Sequence, residues 1–78
     1  MLVVEDQASV RAALCAELRQ AGVSRVIEAS DGAMAVAMFT QLRPDLVLLD
    51  IRLPDQDGYW VARHLREDVS HLPVSFVH

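Results

Sequence analysis

The chain contains no lysine: its seven basic side chains are all arginine, set against eleven carboxylates for a net charge of −4. A mildly acidic sequence without a basic run offers phosphate backbones no electrostatic footprint, which argues against nucleic-acid binding by this segment. Cysteine is almost as scarce. A single residue, Cys15, excludes an internal disulfide and a cysteine-based zinc site, and leans toward a reducing compartment. Glycine and proline number three each, below the roughly 12% that the two average together, so most of the chain should be helix and strand. Long apolar runs are missing as well. None nears the roughly 18 residues of a membrane span, and the start lacks a basic stretch ahead of an apolar signal core. These absences read as a soluble, cytoplasmic protein with no membrane partner.

What is present is apolar: 53% of the 78 residues are hydrophobic, enough for one small domain, although a domain near 60 residues buries only about 60% of its unfolded surface. Met1-Leu2-Val3-Val4 is an apolar run that stops at Glu5-Asp6, the pattern of a strand buried on both faces and ending in two carboxylates. A helix is expected from Ala8 to Ala21, with Val10, Leu14 and Leu18 as its apolar stripe and Gly22 as its end. Ser24 to Ala29 reads as a weaker strand suited to an edge. Ser30-Asp31-Gly32 supplies a turn and a cap for a second helix, from about Ala33 to Leu42, on Met34, Met38 and Leu42 with Ala35 and Phe39 beside them. Pro44 closes it.

Asp45 to Asp50 is the strongest strand signal, four branched apolar residues between acids, and should be central. Leu53 to Gly58 must be loop, followed by a third helix from about Gly58 to Asp68 on Val61, Ala62 and Leu65, and a fourth strand within Leu72 to Val77. Strand-helix three times and then a strand is an α/β pattern with a parallel sheet. Right-handed crossovers place helices on both faces of such a sheet, and ligands bind beyond the carboxyl ends of its strands.

Glu5, Asp6 and Asp50 all fall at strand carboxyl ends. Spacing does not show that the first and third strands are neighbours. If they are, the three carboxylates repel one another and raise their own pKa values unless a cation sits between them. Magnesium suits such a site, because it takes oxygen ligands from one or two carboxylates and leaves positions for water and phosphate. Asp50 would then be a nucleophile toward phosphorus, forming an aspartyl phosphate.

Val3-Val4-Glu5-Asp6-Gln7, together with Leu48-Leu49-Asp50-Ile51-Arg52-Leu53-Pro54-Asp55-Gln56-Asp57-Gly58, resembles the receiver domain of two-component response regulators. The second stretch has the family's Asp-x-x-x-Pro-x-x-x-Gly spacing through Asp50, Pro54 and Gly58. The resemblance implies a flavodoxin-like, doubly wound parallel sheet. It implies that Asp50 accepts a phosphoryl group from a sensor histidine kinase or phosphotransfer protein, and that Glu5, Asp6 and Asp50 hold Mg2+ with help from the backbone carbonyl of Arg52. It also places the Arg52 side chain near the phosphoryl group, where it would tune hydrolysis. The domain so implied is a phosphorelay switch more than a turnover enzyme.

The sequence departs from that family in two places. Receivers usually carry a Ser or Thr at the end of strand four and a Lys after strand five. Counting from Pro73, the first position falls on or near His78, with Ser75 too early, and there is no lysine at all. Residues 1–78 therefore read as a receiver truncated after its fourth strand, without a fourth helix, fifth strand or fifth helix. The edge Val74 to Val77 is expected to be exposed and to promote self-association. Two alternatives stand beside this reading. One is a docking domain that is never phosphorylated. The other is an aspartate-nucleophile phosphohydrolase resembling the haloacid dehalogenase group, which ranks low because Arg52 stands where those enzymes have a second Asp.

The remaining reactive side chains have plainer readings. His64, His71 and His78 are spaced by seven, which does not suit a metal site. Cys15 is expected in the core, and so are the methionines. Asp55 and Asp57 read as solvent-facing turn or capping residues, Arg63 and Arg66 as a solvated helix face. Of the adjacent Tyr59 and Trp60, one should be exposed, because neighbouring positions do not share a helix face.

Overall fold

The computed structural model describes residues 1–77. Its elements run β1 (Leu2–Val4), α1 (Ala8–Gln20), β2 (Ile27–Ala29), α2 (Gly32–Leu42), β3 (Val47–Asp50), α3 (Gly58–Asp68) and β4 (Val74–Val77). The four strands form one parallel sheet in the order β2-β1-β3-β4. The two most apolar runs, β1 and β3, occupy its centre, and β2 lies at one edge as the weaker pattern suggested. His78 lies outside the described residues, and so does the alignment of a Ser/Thr position onto it.

One face of the sheet carries the larger core. Leu2 and Val4 of β1, Val47 and Leu49 of β3, Ala35 and Phe39 of α2, and Val61, Ala62 and Leu65 of α3 form a single buried cluster with Ala29 and Leu72. Successive strand residues face opposite ways, so Val3 turns from this cluster to the other side, where α1 packs against β1 and Cys15 is buried. Burial also raises the pKa of the Cys15 thiol, as for a packing residue rather than a reactive one.

Both expected helix stripes rotate. Residues four apart drift by about 40° per step on an α-helix, so three of them in a row cannot share one narrow face. In α1, Val10 is 40% exposed while Cys15 takes the buried position. In α2, Met34 is 40% and Leu42 36% exposed, and the inward line is Gly32, Ala35 and Phe39. The methionines are therefore not core filler: only Met38 packs partly against the cluster. In α3 the expected residues Val61, Ala62 and Leu65 are all buried.

Local chemistry sets the element ends. Asp31 accepts the Met34 N–H at 2.7 Å and Asp57 the Trp60 N–H at 2.7 Å, so α2 and α3 start on aspartate caps, whereas α1 starts at Gln7 without a side-chain cap. Gly22 terminates α1 with φ +98°, and α2 ends on Arg43 with φ 48°, a left-handed conformation uncommon outside glycine. Arg43 is held there by Asp68, 2.8 Å from its guanidinium, and by the Phe39 ring 5.6 Å away.

Candidate functional site

The chain crosses from β1 outward to β2 and then back past β1 to β3, so the strand order reverses between β1 and β3. Crevices at such reversals, beyond the strand carboxyl ends, are where open α/β sheets bind ligands. Register pairs Val4 with Leu49, which brings the residues that follow each of them side by side. Glu5, Asp6 and Asp50 consequently converge, each offering a carboxylate oxygen, with these atoms all within 4.8 Å of one another. The adjacency that spacing left open is present.

Burial divides the three. Glu5 is 5% and Asp50 6% exposed, whereas Asp6 faces outward. Each buried carboxylate takes one main-chain donor: Gln7 N–H bonds Glu5 Oε2 at 3.0 Å, and Arg52 N–H bonds Asp50 Oδ1 at 3.0 Å. Burial pushes the Glu5 carboxyl above its ordinary value, and the neighbouring Asp6 and Asp50 add to that shift against the Gln7 N–H. A compact set of hard oxygen donors, two of them withdrawn from water and mutually repelling, fits a magnesium ion. The cluster supplies three carboxylates and stays open on the Asp6 side.

The loop after Asp50 is shaped by contacts specific to its residues. Gly58 N–H bonds the Ile51 carbonyl at 2.6 Å. A Cβ at Gly58 would collide with the Asp50 carbonyl oxygen and stand 2.8 Å from Ile51 Cα, so only glycine allows this approach. Arg52 and Asp57 face each other in a single antiparallel bridge within the loop, and the Arg52 side chain is exposed.

Three features of the site were not readable from sequence in this form. Asp55 is a cap, but for a helix distant in the chain: its two carboxylate oxygens accept Gly32 N–H at 2.8 Å and Ala33 N–H at 2.9 Å, tying the loop to the start of α2. Those donors hold the Asp55 carboxyl below its ordinary value. Arg11 reaches from α1 to the Glu5 carbonyl, 2.8 Å from Nη1. Arg66 is not simply solvated, since its Nε donates to the Leu72 carbonyl at 3.1 Å. Of the aromatic pair, Tyr59 is the exposed member and lies 4.9 Å from the Phe76 ring, while Trp60 stacks on His64 at 5.0 Å.

The family model described as the response regulator receiver domain matches residues 1–78. The chain is 43% identical over 74 residues to a probable transcriptional regulator, ycf27, of Guillardia theta, covering 95% of this chain and 28% of that protein. It is also 43% identical over 74 residues to the DNA-binding response regulator MtrA of Mycobacterium leprae, covering 95% of this chain and 32% of that protein. It thus spans about a third of the length of these curated relatives. Among solved structures, the chemotaxis protein CheY4 of Vibrio cholerae superposes with a TM-score of 0.90 at 27% identity, over 96% of this chain and 63% of that one.

Proposed function

This chain belongs to the response regulator receiver domain family, and from that premise we propose that Asp50 is the acceptor of a phosphoryl group delivered by a histidine kinase or phosphotransfer protein. The observation that carries the proposal is the meeting of Glu5, Asp6 and Asp50 at the β1–β3 crevice, with carboxylate oxygens within 4.8 Å of one another. An Asp50 oxygen attacks phosphorus, a P–O bond forms as the P–N bond of the donor phosphohistidine breaks, and the bonding pair returns to the imidazole nitrogen. Arg52 N–H, already on Asp50 Oδ1, fixes that carboxylate so that its other oxygen is the one presented. Glu5, Asp6 and Asp50 would hold Mg2+ with the Arg52 carbonyl. The chemistry the ion supplies when bound is neutralisation of charge on the transferring oxygens. The Arg52 side chain, exposed two residues after Asp50, would tune loss of the phosphoryl group to water.

As a receiver the chain is a signalling module, and we place it in the cytoplasm, where such a kinase would present its phosphohistidine. No helix among the described residues is long and apolar enough to cross a membrane. The test is incubation with Mg2+ and acetyl phosphate followed by intact-mass measurement. A single added phosphoryl group, absent in Asp50→Asn, is expected. Sustained turnover of a phosphomonoester would instead favour the phosphohydrolase reading, and no modification even in a longer chain that carries a fourth helix and fifth strand the docking reading.

A further inference from the structure

We infer that Arg11 is a positioning residue for the acidic cluster, holding the chain at Glu5 and Asp6 in the geometry that takes up Mg2+; the inference rests on the metal site proposed above. Glu5 stands one residue past the end of β1, where the regular ladder no longer fixes the backbone. The residue is nonetheless clamped on both sides. The Glu5 N–H donates to the Ala29 carbonyl of β2 at 3.0 Å, and the Glu5 carbonyl accepts from Arg11 Nη1 at 2.8 Å. The same guanidinium turns its Nε to Glu28 Oε1 of β2 at 3.2 Å. One side chain from the first turn of α1 thereby ties the exit of β1 to the edge strand.

The rest of the geometry makes this contact matter for a cation rather than for packing alone. Glu5 and Asp6 are consecutive, so a rotation of the peptide that joins them would re-aim both carboxylates. Arg11 bonds the carbonyl of that peptide. Its side chain is only 20% exposed, and it is bound at two separate nitrogens, which a planar guanidinium provides and a lysine ammonium does not. Charge by itself predicts the opposite effect. A guanidinium near three carboxylates disfavours a divalent cation, so its removal should tighten Mg2+ binding if charge were all it contributed. Partners one step removed from a metal's ligands usually change affinity by about 10- to 100-fold when lost.

The test is an Mg2+ titration of the chain followed by backbone amide chemical shifts, with thermal unfolding measured alongside. Arg11→Gln is expected to weaken Mg2+ binding about tenfold or more, and Arg11→Lys to weaken it nearly as much. Glu28→Gln, which keeps an acceptor for Nε, should bind as the wild type does, and Glu28→Ala should bind several-fold more weakly. Unchanged or tighter binding in Arg11→Gln, or full affinity in Arg11→Lys, overturns the inference. If Arg11→Gln fails to fold, the Glu28 pair decides, and wild-type affinity in Glu28→Ala overturns it. A wild-type chain that takes up no Mg2+ overturns the metal site itself and this inference with it, a result distinct from equal binding by wild type and variant.

Discussion

The main-chain N–H of Gly58 and the carbonyl of Ile51 lie 2.6 Å apart, closing the loop that leaves Asp50 onto the first residue of α3. The approach is close enough that a β-carbon at Gly58 meets backbone on two residues at once, Asp50 and Ile51. Backbone cannot step aside as a flexible side chain can. Gly58→Ala is therefore expected to cost about 1–3 kcal/mol, the usual range for forced overpacking, measured as a lower urea midpoint with an unchanged slope. Because the displaced atoms belong to Asp50 and the residue after it, the variant should also lose the phosphorylation by acetyl phosphate proposed for Asp50. Wild-type stability would show that the loop relaxes freely and does not hold Asp50 in place.

Asp55 gives the same loop a second anchorage, and one that titrates. Its carboxylate accepts two N–H groups at the start of α2, where the helix dipole also favours negative charge. The carboxyl is held below its ordinary value, so the folded state binds its proton less readily than the unfolded chain. The stabilisation is accordingly complete above the unfolded value, about 3.9, and is lost as pH falls through the lower folded value. Asp55→Ala should melt below the wild type at pH 6, and the gap should close in the acid limb below about pH 4. Thermal melts across that range check this, and a gap that persists undiminished at low pH would assign the effect to something other than the charge.

What the sequence disclosed, and what it withheld, follows from the range of each interaction. The strands β1 and β3 were legible because both are central, with β1 buried on both faces and β3 covered on one and half-buried at Leu48 on the other, so neither needs an alternation of polar residues. The carboxylates at their ends were legible for the same reason, as abrupt stops to apolar runs. Their meeting was not, because strand order is set by how the crossovers pack and leaves no mark on spacing. In α1 and α2 it is the stripes spaced by four that the structure displaces: Val10 and Met34 are exposed, while Cys15, expected in the core, and Ala35 take the buried positions. Nothing in the sequence marks Arg11 or Asp55 as a site residue, because the first looks like any polar position of an amphipathic helix. The second spends its charge on main-chain donors 22 and 23 residues away.

Magnesium should stabilise the chain, most at neutral pH. The Glu5 carboxyl is raised by burial first and by its acidic neighbours after that, so the folded state holds a proton there more tightly than the unfolded chain does. Without a cation, stability falls as pH rises from the unfolded value of Glu5 through the higher folded one, and the full penalty applies above it. Mg2+ at ten times its dissociation constant should add about 1.4 kcal/mol by mass action. The gain should shrink toward mild acid, where protons compete with the ion for the Glu5 carboxylate. Glu5→Gln, Asp6→Asn and Asp50→Asn should each reduce the Mg2+-dependent rise in Tm, with calcium-free buffers and a chelator control. An equal rise in all three variants would place the ion elsewhere.

The outer edge of β4 is the remaining exposed feature with a measurable consequence. Val74 to Val77 pair with β3 on one side only, and β4 ends the sheet among the described residues. Ser75 is exposed, while Val74, Phe76 and Val77 are half-buried, so apolar side chains flank a row of free main-chain groups. Strand edges of this kind pair with other strands unless a charge or proline blocks them. Sedimentation velocity over a range of concentrations should show reversible self-association of the 78-residue chain. Ser75→Lys, which sets a charge on the free edge without touching the core cluster, should shift the distribution toward monomer at unchanged Tm. A wild-type chain that stays monomeric at high concentration would show that twist and the Tyr59 ring packed against Phe76 already protect the edge.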